Sequence, residues 1–242
     1  MKLKFSRKLR VLTFSLLATL AAIFCLYLYE TKDTRQFEQL SQDLLYTELS
    51  GNTISLHYTL AYPENYGLSA DPILPSSFTD VDTRAQVTEW QRRLSCIDLQ
   101  KLDPQDRYAY LLFDRFLALT LEGSDFTYYT DPLSPSSGMV SGLPVLLADY
   151  TFRTKKDVED YLGILEQTGA YFDALIRYEQ EKSSAGLFMS DTSADNVIEQ
   201  CDSIMDPVLL SDGSHFLQQT FTERLDGLAS DEIITGEEKQ RY

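Results

Sequence analysis

Histidine is the scarcest reactive residue in this chain of 242 residues, which has only His57 and His215. Neither opens an H-E-x-x-H arrangement: Tyr58-Thr59-Leu60-Ala61 follow the first, and Phe216-Leu217-Gln218-Gln219 the second. A catalytic zinc takes three protein ligands and keeps one position open, so two distant histidines do not supply such a site by spacing. Positive charge is short too, with 21 Lys and Arg against 37 Asp and Glu and a formal net charge of −16. The shortage deepens past residue 30, because the first thirty residues hold 5 of the bases and 1 of the acids. That leaves 16 basic and 36 acidic side chains, a net of −20. Nucleic acid requires a basic face, so a nucleic-acid partner is excluded, and anionic lipid is repelled. There is no G-x-S-x-G elbow and no G-x-x-x-x-G-K-[ST] loop, which removes the main support for a serine hydrolase or a P-loop enzyme. No repeat of 20–50 residues is visible.

Cysteine is nearly absent as well. Past the first thirty residues only Cys96 and Cys201 occur. They could pair in an oxidising compartment. Both fall in helical patterns, RRLSCIDL and VIEQCDSIM, where a buried free thiol is the plainer reading. Sequence does not show the close Cα approach that a bridge needs, so pairing stays open.

What the chain does have is a long apolar run near its start. Lys2, Lys4, Arg7, Lys8 and Arg10 come first, and the 19 residues from Val11 to Tyr29 carry no charge. As a helix this run covers roughly 28 Å, against a hydrocarbon core of about 30 Å. It exceeds the apolar stretch of a cleaved secretory signal, about 7–15 residues. Its small residues, Ala18, Ala21 and Ala22, lie inside the run where they mark no cleavage site. Bulky Phe24 before Cys25 speaks against a lipoprotein. The expectation is a single-pass signal anchor over 11–29, with 1–10 as a cytoplasmic basic region and 30–242 outside the cell membrane.

The exterior part reads as all-α. Its apolar content suits a folded chain, with 13 Phe and 15 Tyr in the whole sequence. Thr34–Leu49 puts Phe37, Leu40, Leu44, Leu45 and Leu49 on one stripe, ended by Gly51-Asn52. TISLHYTLAYPENYGLS reads as an extended segment and a turn. DPILPSSF is a loop. Asp80 or Asp82 caps a helix to Leu94 that faces Val87, Trp90 and Leu94 inward. Asp103-Pro104 opens a helix to about Leu121, with Tyr108, Leu111, Leu112, Phe116 and Leu119 as its apolar face. DFTYYTDPLSPSSGMVSGLP is read as irregular throughout, and loops this long commonly bind, cover or connect something. Thr154 caps a long helix to about Lys182, with Asp157 in its first turn and a stripe of Val158, Tyr161, Leu162, Leu165, Tyr171, Phe172, Leu175 and Ile176. Ser193 caps the next, with Val197, Ile198, Cys201 and Ile204, stopped before Pro207. Ser211 or Asp212 starts one more, carrying Phe216, Leu217, Phe221 and Leu225. Thr235-Gly236-Glu237-Glu238 has the form of a capping box, but the four residues after it are too few to sustain a helix.

No complete catalytic site emerges from these residues. Asp149, Asp157 and Asp160 flank the start of the long helix, where a solvated first turn accounts for them. His215, near a helix start, reads as a surface or packing residue.

The stretch Pro132 to Cys201, PLSPSSGMVSGLPVLLADYTFRTKKDVEDYLGILEQTGAYFDALIRYEQEKSSAGLFMSDTSADNVIEQC, resembles the bacterial domain-of-unknown-function family 885. SGNTISLHYTLAYPENYGL, Ser50 to Leu68, is similar to the opening region of that family, and the resemblance extends over about 35–242. It implies a large helical protein similar to zinc metallopeptidases, longer than this chain, with a His-Glu-x-x-x-Gly-His-like motif in its C-terminal half. No position here matches that motif, so no catalytic, cofactor-binding or metal residue is carried over. Zinc and a peptide substrate are then expected of a full-length member, and this chain reads as its N-terminal half, with the loop Asp131–Pro144 as the candidate wall of a substrate cleft. The alternative is a non-catalytic exported helical module that binds a peptide, a cell-wall component or a partner protein.

Overall fold

Capping chemistry decides where most of the helices begin. The computed structural model describes residues 19–21, 23–24, 26–68, 72–78 and 83–242. Its helices are α1 (followed over 19–30, bar 22 and 25), α2 (Lys32–Ser50), α3 (Thr53–Thr59), α4 (Thr83–Ser95), α5 (Pro104–Gly123) and α6 (Met139–Ala148). After them come α7 (Lys155–Ser184), α8 (Asp191–Ile204), α9 (Pro207–Asp212), α10 (Phe216–Ser230) and α11 (Gly236–Arg241). Short 3₁₀ turns lie at Pro63–Tyr66, Leu99–Lys101 and Thr127–Tyr129. The fold is all-α, with no strand among the described residues. Nor is any helix among them long and apolar enough to cross a membrane. The expected cytoplasmic stretch 1–10 and most of the expected span 11–29 lie outside the described residues.

The chain divides into two compact units, one of Met1–Leu45 with Asp82–Ser124, the other of Tyr46–Val81 with Asp125–Tyr242. The core of the first unit comes from α2, α4 and α5: Phe37 and Leu40 meet Val87, Trp90, Leu94, Phe113 and Leu117, all buried. Asp103 caps α5 by accepting from the Gln105 and Asp106 N–H groups, with Pro104 at the first helical position. The buried carboxylate of Asp33 accepts from the Asp98 N–H at 2.9 Å and faces Lys101 Nζ at 3.4 Å. That backbone hydrogen bond and the lysine hold its carboxyl below the usual range.

The second unit is built on α7. Its Val158, Tyr161, Ile164 and Tyr171 pack with Leu143 and Leu147 of α6, Leu225 and Leu228 of α10, and Tyr150, Phe152 and Ile234. A capping box starts α7, with Thr154 and Asp157 each satisfying the other's backbone N–H. The segment 72–78 is strapped along this helix by Gln167, whose Oε1 accepts from the Leu74 N–H at 3.1 Å and whose Nε2 donates to the Pro72 carbonyl. Gly163 faces Pro72 so closely that a Cβ there would collide with the proline ring.

Several expectations need correction. The segment read as extended is helical at α3, because the Asn52 side chain accepts from the Ile54 and Ser55 N–H groups, and a 3₁₀ turn follows it. The long irregular stretch ends at Gly138: α6 begins at Met139 and includes Gly142 and a buried Pro144. Burial of Val140, Leu143 and Leu147 outweighs the proline's missing donor there. In α5 the packed residues are Phe113 and Leu117, whereas Tyr108, Leu111, Leu112, Phe116 and Leu119 are exposed. That helix is apolar on more than one side, so its pattern does not select the face. In α7, Leu165 and Ile176 are exposed, and Ile164, Ala174 and Tyr178 are buried instead. Ser190, not Ser193, caps α8, and Ile198 is exposed. The short α9, capped by Asp206, was not anticipated, and His215, not Ser211 or Asp212, caps α10. Both Cys96 and Cys201 are free, and both are exposed rather than buried. The caps proposed at Asp80 or Asp82 lie outside the described residues. The Thr235–Glu238 box forms and opens α11.

Candidate functional site

A cavity of about 310 Å³ opens in the second unit beside α3, the Pro63–Tyr66 turn and the first turns of α7. Leu56, Ala61, Pro63 and Leu68 give it an apolar side, and His57, Glu64, Tyr150, Lys156, Asp157 and Asp160 a polar one. Asn52 orients α3 so that His57 faces inward, and Tyr58 Oη donates to the Leu146 carbonyl at 2.6 Å, tying α3 to α6.

His57 is 8% exposed and stacks on Tyr150, with ring centroids 3.7 Å apart and planes at 13°. Its Nε2 accepts from the Thr151 N–H at 3.2 Å, which assigns the ring proton to Nδ1. Nδ1 faces Asp157 Oδ1 at 3.7 Å. Burial lowers the imidazole to about 4, Asp157 pulling it up and Arg153 pushing it further down. His57 is therefore neutral at pH 7, and its lone pair is already engaged.

Asp157 is equally committed. Its Oδ2 accepts from Arg153 N–H at 2.9 Å, Thr154 N–H at 2.7 Å and Thr154 Oγ1 at 3.0 Å. Thr53 Oγ1 accepts from the Ile73 N–H. The Tyr150 hydroxyl is driven far up by burial and by Asp160 and Asp157. Burial also raises Asp160, whose two oxygens both accept from Lys156 Nζ, at 2.7 and 2.9 Å. Lys156 opposes that rise but does not cancel it. The side chains suited to base or nucleophile chemistry thus hold the fold together. Glu64 and Asp160, the latter held by the Lys156 side chain, are the carboxylates left to meet a ligand.

The zinc implied by resemblance does not fit these residues. His215 is buried, accepting from the Leu217 N–H at Nδ1 and meeting the Ile204 carbonyl at Nε2, so neither histidine offers a free lone pair. No group of three His, Cys, Asp or Glu among the described residues is arranged to hold a metal ion.

Of the residues singled out in the sequence, the fold brings His57, Asp157 and Asp160 together. It leaves Asp149 in a different hollow of about 320 Å³, with Arg224 and Asp231. Loop residues 131–138 do not line the cavity. Tyr150 and Glu64 gave no sequence signal, since their role depends on segments almost a hundred positions apart meeting.

The family model for bacterial proteins of unknown function, DUF885, matches residues 73–240. The chain belongs to the DUF885 family. The match is narrower than the 35–242 read from resemblance, and the segment 50–68 falls outside it. The DUF885 match therefore holds Tyr150, Asp157 and Asp160 but not His57 or Glu64, so the cavity joins matched and unmatched sequence. Neither the curated proteins nor the solved structures contain a match.

Proposed function

We propose that this DUF885 protein is a membrane-tethered, extracytoplasmic binding module whose second unit takes the charged amino end of a peptide in the His57–Tyr150–Asp160 cavity. The uncharged run 11–29 behind a basic flank supports the tether and its orientation. The observation that carries the binding reading is the inventory of the cavity wall. Three carboxylates face it, Glu64, Asp157 and Asp160, against one lysine already paired to Asp160, with an apolar side beneath. A peptide α-amine is cationic near neutral pH and forms charge-assisted hydrogen bonds to a carboxylate. An aromatic and aliphatic wall suits the adjoining side chain. Because His57, Asp157, Thr53 and Thr154 are engaged in structural hydrogen bonds, the module binds without cleaving. Peptidase-like chemistry, which the family resemblance suggests, has no supporting arrangement in this cavity.

The test is calorimetric titration of the full chain in nanodiscs with a short apolar peptide, free or acetylated at its amino end. The free peptide is expected to bind at least about tenfold tighter, the size of one charge-assisted hydrogen bond. Asp160→Asn should remove that preference. Equal binding of both peptides, or none, would overturn the reading.

A further inference from the structure

The segment Thr127–Gly138 is held over the last turns of α7 by polar contacts that lie apart from the cavity. Tyr178 Oη donates to the Thr127 carbonyl at 2.8 Å and meets Thr130 Oγ1 at 2.7 Å. Tyr128 Oη donates to Glu181 at 3.1 Å, and Gln200 Nε2 donates to the Pro135 carbonyl at 2.6 Å. Lys182 Nζ donates to the Thr130 carbonyl at 2.8 Å and to the Asp131 carboxylate. The segment also folds on itself, with Ser134 N–H to the Asp131 carbonyl, Gly138 N–H to that of Ser134 and Met139 N–H to that of Pro132.

One buried ammonium here is paired to one carboxylate and acts electrostatically on a second, unlike one. The Lys182 side chain is 2% exposed, and its partner Asp131 is 66% exposed. Glu179, three residues earlier on α7, is 5% exposed, and neither of its oxygens has a hydrogen-bond partner. A buried polar group without a partner is uncommon in a folded protein and asks for an explanation. The charges acting on Glu179 are Lys182 on its own helix and Asp131 on the loop. Tyr178 and Tyr128, whose hydroxyls are hydrogen-bonded, Glu181 and the exposed Tyr129 are further titratable side chains at this end.

We propose that Lys182 is a latch on Thr127–Gly138, switched between Asp131 and Glu179 by the protonation of Glu179. With Glu179 neutral, nothing competes for the ammonium, and Asp131 holds the loop down. When Glu179 loses its proton it becomes a buried anion without a protein donor, a costly state for a carboxylate. Asp131 is the cheaper ion to release, because its exposed carboxylate already has water. Residues three apart on a helix share a face, so the ammonium reaches Glu179 by side-chain rotation alone. The loop then keeps the tyrosine and glutamine contacts but loses its ionic one, together with the Lys182 hydrogen bond to the Thr130 carbonyl.

The test is amide hydrogen exchange on the full chain in nanodiscs, followed from the ordinary carboxylate range upward into alkaline pH. After correction for base catalysis, the Ser134, Gly138 and Met139 amides should lose protection by roughly tenfold or more across one step, the size of a charged hydrogen bond. Glu179→Gln should stay protected throughout, and Lys182→Met should be loose throughout. A step that survives in Glu179→Gln, or a wild type without one because the ammonium simply serves both carboxylates, overturns the proposal. Should Glu179→Gln fail to fold, nitrogen NMR of the Lys182 ammonium in the wild type decides. Its shift must move at the same midpoint as the loop amides, and separate midpoints refute the latch.

Discussion

Acidifying the protein from neutral pH to about pH 4 should remove stability through the His57 side chain. Its folded value is about 4, against 6.5 for a free imidazole. The folded value lies below the unfolded one, so the fold favours the neutral ring. The stabilisation is therefore complete above about pH 6.5 and is lost as pH falls through the window down to about pH 4. At 1.36 kcal/mol per unit the window is worth about 3 kcal/mol, a large share of a typical net stability of about 5–15 kcal/mol. The figure needs little discount for solvent, since the ring is almost fully buried. Protonation would also forfeit the Thr151 N–H bond at Nε2, because imidazolium has no acceptor. Other groups titrate nearby: Asp160 and Glu179 are raised and act in the opposite direction, while Asp33 is lowered and matters only at lower pH. The comparison that isolates His57 is urea unfolding of wild type and His57→Gln across the window, followed by circular dichroism in a mild detergent. Glutamine keeps an acceptor for Thr151 and does not titrate. The wild-type curve should fall about 3 kcal/mol relative to the variant. Parallel curves, or a His57 ring that titrates near 6.5 by NMR, would refute the reasoning.

Further outcomes follow from packing and capping. Leu117→Ala should cost about 3–5 kcal/mol in chemical unfolding, whereas Leu112→Gln on the exposed face of the same helix should stay within about 0.5 kcal/mol; comparable losses would mean the packed face of α5 is misassigned. Asp157→Ala should cost about 3 kcal/mol, from a lost cap and two backbone donors left unpaired, with Asp157→Asn milder because it keeps an acceptor. Gly163→Ala should lower the melting temperature and speed proteolysis at 72–78, because the strap cannot lie flat against a Cβ; an unchanged cleavage rate would count against that contact. A periplasm-type reporter fused after residue 30 should be active outside the cell, and activity only in the cytoplasm would exclude the proposed orientation.

Local chemistry was the legible part of this sequence. Asp103-Pro104 and Thr154–Asp157 carry their capping partners within three residues and form as read, while the Thr235–Glu238 box opens α11 although the four residues after it read as too few for a helix. Where tertiary packing decides, the pattern failed. Pro144 sits inside a helix because its neighbours are buried, and seven-residue α3 persists through Asn52 and the core around Ile54. The sides of α5 look alike until Trp90 and Phe37 are in place. The cavity was invisible for a different reason. Its histidine and its carboxylates are ordinary residues in their own segments, and the fold alone makes them neighbours.

The strap and the cavity also bear on the order in which the protein assembles. Thr151 meets His57 across 94 residues, and Leu74 meets Gln167 across 93. Between these partners the chain makes α4 and α5, a helical hairpin whose contacts are local and quick to form. The second unit, by contrast, must close a long loop before any of its pairings is rewarded. During synthesis α3 and the segment 72–78 have to wait, their apolar side chains uncovered, until α7 is complete. That interval is when the chain is most open to aggregation and to proteases, and Gln167 and Thr151 mark the point at which it ends.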